Sequence, residues 1–448
     1  MIQPKIPQPT ISFIDQYCGS YQKIFPEVRS YEAFKQIIMG ILTPSKRKSL
    51  VTLSKIIGLK NSQSLHNFLT QSPWKLEELR AERLKIILNW LKEEAIDIII
   101  DETGDPKKGN KTEYVARQYL GRRGKVENGI VSVNIYGVKN GITFPLLFEI
   151  YKPKSRLKSG DKYQSKPQIA ARLVEQLVSQ GLKVRYVLAD SLYGESVTNL
   201  LRVLEKLKLH FMVAIRSNHG VWMPEDEKVE QTSWQEFDRI LSKGQRQKRY
   251  VCEIIIGQRN KYTYWYLTTD PETLPVNSTS YVMTNINKIK YQDVGNIYGE
   301  RTWIEYGFRQ SKSELGWSDF HITKYNDIAK WWETICCAFL LVSMKASTRA
   351  ISTQTSEFSD FSTCQSELNS YRAEHPDWDF NQGWKSMLNN MQLLLLPLLA
   401  LKLVEPWLKV FESPLLVSSF NTLISLVNLC ANALTGTKLN AIHQFSSA

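Results

Sequence analysis

The chain has 448 residues, with 57 Lys and Arg against 44 Asp and Glu, for a formal charge of +13. Its 43% apolar and 23% charged residues exclude a disordered or fibrous chain, and the length calls for two or three domains. The positive excess favours a polyanionic partner but leaves nucleic acid, a membrane surface and no special partner all open.

In chain order, the N-terminal stretch MIQPKIPQPTISFIDQY lacks a basic segment followed by an apolar one, so no secretory signal is expected. Residues 1–93 read as helical. Tyr31–Leu42 has apolar residues at helical spacing, and Leu50–Ile57, Gly58 and Ser62–Leu69 have the outline of a helix-turn-helix, preceded by Lys46, Arg47 and Lys48. A generic helical hairpin is the other reading. At Ala95 the pattern changes to a β-branched strand that ends on Asp101. Glu127–Tyr151 holds two strand-like runs around Lys139-Asn140-Gly141, a hairpin signal. A basic loop spans Lys152–Lys166. Pro167–Gln180 is an amphipathic helix, Val184–Leu188 a strand running into Asp190, Glu195–Leu207 a helix and Phe211–Ile215 a strand.

The order β-β-β-α-β-α-β predicts an α/β fold with a mixed sheet, the strand order of a ribonuclease-H-like domain. Residues 221–290 alternate and are rich in Val, Ile, Tyr and Thr, which reads as a β-strand insertion. Residues 291–345 return to helix, 351–370 read as a linker, and the remainder is helical and apolar. The division is therefore a helical region at 1–93, whose helix-turn-helix outline would suit DNA binding, a mixed-sheet domain at 94–220 and 291–345 expected to carry the chemistry, the insertion at 221–290, and a helical C-terminal region at 346–448 open to dimerisation. The most apolar run, Leu393–Leu401, is too short for a bilayer that needs about 20 residues, so a buried helix is expected and no membrane partner. Cys18, Cys252, Cys336, Cys337, Cys364 and Cys430 form no C-x-x-C pair or zinc spacing, which suits reduced thiols in the cytoplasm.

Asp101 and Asp190 each end an apolar strand, and the carboxyl ends of strands form the ligand crevice of an open α/β sheet. For either acid alone a turn or capping role competes with catalysis. In YGERTWIEYGFRQSK, residues 298–312, a helical wheel at about 100° per residue puts Tyr298, Arg301, Glu305 and Lys312 within an arc of about 60°. Ile297, Ile304, Phe308 and Leu315 form a neighbouring apolar stripe. The alternative is an exposed face with an Arg301–Glu305 ion pair. Arg309 lies near the same row. Lys107 and Lys108, which follow the first acid, fit a phosphate grip or a solvated turn equally.

The spacing Y-(2)-R-(3)-E-(6)-K resembles the signature of bacterial insertion-sequence transposases with a DDE catalytic triad. DETGDPKKG resembles the first-Asp motif of one branch (D-E-T-G-x-P-K-K-G), and ADSLYG the second. The resemblance spans about residues 30–345. It implies that Asp101, Asp190 and Glu305 are the catalytic triad and hold two Mg²⁺, with Mn²⁺ as a substitute. It implies that Tyr298, Arg301 and Lys312 touch DNA, with Arg309, Lys107 and Lys108 as further DNA-binding candidates. It also implies cut-and-paste transposition on double-stranded DNA by a homodimer, in the cytoplasm at the nucleoid. Two alternatives stay open: a metal-dependent nuclease of the same fold without strand transfer, and a DNA-binding regulator using the N-terminal helices. Trp222, Trp234 and Trp265 of the insertion read as strand packing before a base-capturing wedge. Lys152–Lys166 and Lys243–Arg249 read as DNA-backbone tracks.

Overall fold

The structure is a computed structural model that describes residues 5–220, 230–241, 245–255, 261–352, 370 and 373–433. Trp222, Lys243 and Cys364 lie outside the described residues. The chain folds as two compact units, residues 88–308 and residues 1–87 with 309–448.

Unit 88–308 is built on one ten-stranded sheet. Its centre is β1 (Ile96–Pro106), whose Ile98, Ile99 and Ile100 are wholly buried. A strand covered on both faces has to be apolar at successive positions, which is what this run supplies. β3 (Lys125–Lys139) pairs antiparallel with β1, and β5 (Val184–Ala189) pairs parallel with it on the other side. β6 (His210–Ile215) continues parallel to β5. β4 (Ile142–Ile150) returns along β3 through Asn140 and Gly141. Both of these have positive φ (50° and 70°), the two-residue turn that the Asn-Gly pair predicts. The predicted strand order therefore holds, with one addition. β2 (Ala116–Leu120) is a short, half-exposed strand paired with the start of β3.

The β-rich insertion forms β7 (Gln235–Ile240), β8 (Arg246–Ile255), β9 (Thr263–Thr268) and β10 (Ser280–Thr284). It is not a separate sheet: β10 pairs antiparallel with β6, so the insertion prolongs the central sheet. Trp265 is buried there, and Trp234 packs against Tyr266. α6 (Lys166–Ser179) starts in a capping box, Ser165 with Gln168, and buries Ile169, Leu173, Val174 and Leu177. The helix expected over 195–207 is a π turn (Val197–Leu201) followed by α8 (Arg202–Lys206), preceded by the single turn α7 (Ser191–Gly194).

The other unit joins helices from both ends of the chain: α1 (Ser12–Gly19), α2 (Val28–Leu42), α3 (Leu50–Ile56), α4 (Gln63–Thr70), α5 (Leu76–Leu91), α11 (Tyr325–Ser352), α12 (Trp384–Leu408) and α13 (Pro414–Ala433). α11 is its axis: Trp332, Ile335, Cys337 and Leu340 are fully buried, and it touches α2, α4 and α12. Cys18, Cys336 and Cys337 are buried free thiols here, and Cys252 is one in the sheet unit. Glu333 of α11 is fully buried between Arg83 (2.5 Å) and Arg80 (3.2 Å) of α5. The apolar run predicted as nine residues belongs to the 25-residue α12, long and apolar enough by composition to cross a membrane. Its Met387, Leu388, Met391, Leu394 and Leu395 are buried inside this unit. α3 and α4 form the helix pair read from the sequence, with Gly58 at φ +73° in the turn. Lys48 is turned inward, its ammonium bonded to the Thr43 carbonyl.

Candidate active site

Strand register sets the acid pair. Ile100 of β1 stands beside Ala189 of β5, so the next residues, Asp101 and Asp190, leave the two parallel strands side by side. β1 runs on to Pro106, paired only with β3, whereas the chain after β5 turns away into α7. This opens a gap beside β1 at the carboxyl end of the sheet. Asp190 caps the turn, its Oδ1 accepting from Leu192 N at 3.0 Å, and Asp101 Oδ1 accepts from Glu102 N at 2.7 Å. The capping role and the crevice position thus coexist at Asp190.

Burial, followed by the negative charges of Asp190 and Glu102, pushes the Asp101 carboxyl up to about 8 from an ordinary 3.8. Asp190 is raised for the same first reason, then by Glu102. Arg301 pulls both back down. Two crowded carboxylates held where their ionised forms are unfavourable make a donor set suited to a hard divalent cation.

Arg301 is the hub on the opposite wall. Its guanidinium lies 3.9 Å from Asp101 Oδ2 and 3.2 Å from Glu305 Oε1, and it hydrogen-bonds the Tyr298 side chain. Burial, with the charges of both aspartates, raises the Tyr298 phenol, while Arg301 opposes the rise. The structure therefore brings Asp101, Asp190, Tyr298 and Arg301 together. Glu305 is more than half exposed and reaches the group through Arg301. Among the described residues, no three His, Cys, Asp or Glu side chains converge as a metal site.

The segment carrying these residues is helical but not one α-helix. α9 (Tyr291–Gly299) passes through a 3₁₀ turn at Glu300–Thr302 into α10 (Trp303–Arg309) and then a π turn at Gln310–Glu314. The 3₁₀ turn tightens the winding and the π turn loosens it, so an ideal wheel describes the row only locally. The apolar stripe holds where it matters for seating: Ile304 is buried and Phe308 meets Tyr136 edge-on at 5.6 Å. A β-carbon on Gly307 would lie 2.6 Å from the Tyr136 ring, so glycine lets α10 sit close on β3. Arg309 ends α10 and Lys312 lies in the π turn. Lys107 and Lys108 stand beyond the end of β1; Lys107 is six residues past Asp101, about 20 Å along an extended strand. They are not brought to the acid pair.

Two groups of residues at the site escaped the sequence reading. Glu102 accepts from Tyr193 Oη at 3.0 Å and from Lys166 Nζ at 2.8 Å, tying β1, the start of α6 and the turn after Asp190 together. Both Glu102 and Tyr193 lie inside the two acidic motifs, so the signal was present but carried no role. Behind the site, Asp97 of β1 takes both arms of the Arg185 guanidinium and hydrogen-bonds Glu300, fixing the 3₁₀ turn next to Arg301.

A sequence profile described as DDE superfamily endonuclease matches residues 21–247, about half of the chain. The chain is also 54% identical over 328 residues to a probable transposase for insertion sequence element IS701 from Microchaete diplosiphon, a match covering 73% of this chain and 86% of that protein. With the acid pair at the carboxyl end of a mixed sheet, these similarities have one consequence: the chain belongs to the DDE superfamily of endonucleases.

Proposed function

We propose that the chain is an insertion-sequence transposase that cuts DNA at the ends of its element and joins the freed 3′-OH to target DNA. The observation that carries this is the placement of Asp101 and Asp190 side by side at the open sheet end, faced by Arg301 and Tyr298. Membership of the endonuclease superfamily and the 54% identity to a probable transposase support the same reading.

Asp101 and Asp190 would hold Mg²⁺ or Mn²⁺, with Glu305 as the third carboxylate. A bound pair of such ions supplies Lewis acidity and a water nucleophile at neutral pH. The chain's own residues do the rest. Arg301, held by Tyr298 and carried on the 3₁₀ turn that Asp97 engages through Glu300, is placed to hold a phosphate beside the acids. Glu102, Lys166 and Tyr193 keep the turn after Asp190 against β1, so the two aspartates stay in register. Lys312, Arg309, Lys107 and Lys108 serve as outer contacts to the DNA backbone. The pair α3–α4 reads element ends, residues 1–93 acting as the reader and 94–220 with 291–345 as the catalytic domain. Two copies act together on paired ends at the nucleoid, and the exposed apolar side chains of α12, α13 and the link between them, among them Trp407, Phe411, Leu415 and Leu423, supply a face for the second copy.

The test is incubation with Mg²⁺ and a labelled duplex carrying the element's terminal sequence. Joined products support transposition, nicks without joining favour a plain nuclease, and binding without cleavage in wild type favours a regulator. Glu305→Gln should bind DNA as wild type does and cut none. Loss of binding along with cutting counts against Glu305 as a metal ligand.

A further inference from the structure

The β-rich insertion places two arginines beside the catalytic helix that the mechanism above does not use. On β7, Phe237 and Arg239 are two residues apart and so share one face of the sheet. That face rests on α9 through two glycines one turn apart. A β-carbon on Gly295 would lie 1.9 Å from the Phe237 ring, and one on Gly299 would lie 3.0 Å from Arg239 Nε. Arg239 is thereby seated at the carboxyl end of α9, where its Nη2 donates to the Gly299 carbonyl at 3.1 Å.

Arg249 of β8 stands opposite Phe237, diagonal to Arg239 on the same face. Its Nη2 donates to Gln247 Oε1 at 2.9 Å, while its Nε is buried with no hydrogen-bond partner among the described residues. The charges reinforce the point. Burial and then the positive charge of Arg301 hold the Arg239 guanidinium below its usual range. Burial and then Arg239 do the same to Arg249. Glu305 works the other way on Arg239, and no ion pair joins Arg239 or Arg249 to a carboxylate among the described residues. A cleft of about 810 Å³ opens on the Arg239 side of the pair, lined by Arg185, Arg239, Asn296, Trp303 and Tyr306, with Arg249 behind Arg239 and outside its lining. Among the described residues the one carboxylate on its wall, Glu300, is engaged with Asp97. Arginines pressed together without an acid between them are unfavourable until an anion joins them.

We propose that Arg239 and Arg249 form a phosphate-binding site, contributed by the insertion, for the backbone of the DNA strand that leads to Glu305. The site rests on the reading of the chain as a DNA transposase and adds a function for the insertion. It makes β7 and β8 part of the DNA grip: the phosphate lies between the insertion and α9 and relieves the repulsion among Arg249, Arg239 and Arg301.

The experiment measures binding of the full chain to a fluorescein-labelled duplex carrying the element's terminal sequence, by anisotropy over a salt series. Wild type, Arg239→Ala, Arg239→Lys and Arg249→Gln are compared, with melting temperatures recorded. Each neutral variant should lower affinity roughly tenfold and reduce the salt slope by about one unit. Arg239→Lys should keep most of the slope. A slope unchanged in both Arg239→Ala and Arg249→Gln, with wild type binding and cutting, overturns the site and leaves the transposase reading intact. If Arg239→Ala does not fold, an unchanged slope in Arg249→Gln alone overturns it. If wild type itself neither binds nor cuts the duplex, the transposase reading fails, and this site with it.

Discussion

Glu333→Gln tests how the helical unit is held together. Glu333 and Arg83 have no exposed side-chain surface, and Arg80 has 13%. Burial alone would raise the Glu333 carboxyl, yet Arg83 and then Arg80 hold it below its usual range, so it is the ionised form that the site binds. Glutamine keeps the volume and leaves two guanidiniums facing one amide. Because Arg83 cannot reach water, removing the charge of its buried ion-pair partner should cost about 3–5 kcal/mol. Arg80→Gln should cost about 1 kcal/mol, since Arg83 still neutralises Glu333 and the variant side chain sits near the surface. Replacing Arg83 and Glu333 together by Met should cost less than Glu333→Gln alone, as it removes the two fully buried charges and leaves only Arg80, which is 13% exposed. Urea unfolding followed by tryptophan fluorescence reads these losses, because Trp74, Trp317, Trp331 and Trp332 are buried in the same unit. Equal losses for Glu333→Gln and Arg80→Gln, or a double variant worse than Glu333→Gln, would refute the charge account.

Three further outcomes are expected. Gly194→Ala would put a β-carbon 1.9 Å from the Ala214 carbonyl oxygen, a backbone atom, so it should cost about 1–3 kcal/mol and lower DNA cleavage through the turn after Asp190; a wild-type urea midpoint would contradict that close seat. Glu300 is pushed from 4.5 up to about 8 by burial and by Asp97. Its proton-linked stability is whole below about pH 4.5 and is lost as pH rises through about 8, so the Tm of wild type should fall relative to Glu300→Gln across that window, and parallel curves would exclude it. Mn²⁺ should raise the Tm of wild type and leave that of Asp101→Asn nearly unchanged; an equal rise in both would remove Asp101 from the metal ligands.

What was legible from residues alone was local. The apolar run into Asp101, the strand end before Asp190, the Asn140-Gly141 turn and the Arg301–Glu305 neighbour pair each depend on a few consecutive residues. The first strand does not end on Asp101 as expected: β1 runs on to Pro106, because its pairing with β3 continues after that with β5 has stopped. β2 was missed because Ala116–Leu120 is only five residues long and, with Leu120 alone buried, carries no apolar period. The Glu333–Arg83 pair joins positions 250 residues apart, beyond any spacing rule. Gly295 and Gly299 look like defects in a helix until Phe237 and Arg239 are seen lying on them. The row from Tyr298 to Lys312 read as one helical face, and its 3₁₀ and π turns left no mark in the residue pattern because they arise from packing.

The pairing of β10 with β6 joins Tyr281–Thr284 to Met212–Ile215 by main-chain hydrogen bonds. The insertion therefore also guards the edge of the sheet. Without it, β6, with the sequence His-Phe-Met-Val-Ala-Ile, would present unpaired amides and carbonyls along an apolar strand. Such an edge recruits other strands and seeds aggregation. Any shortened form of this enzyme that drops the insertion would need a charge or a proline on β6 to stay in solution.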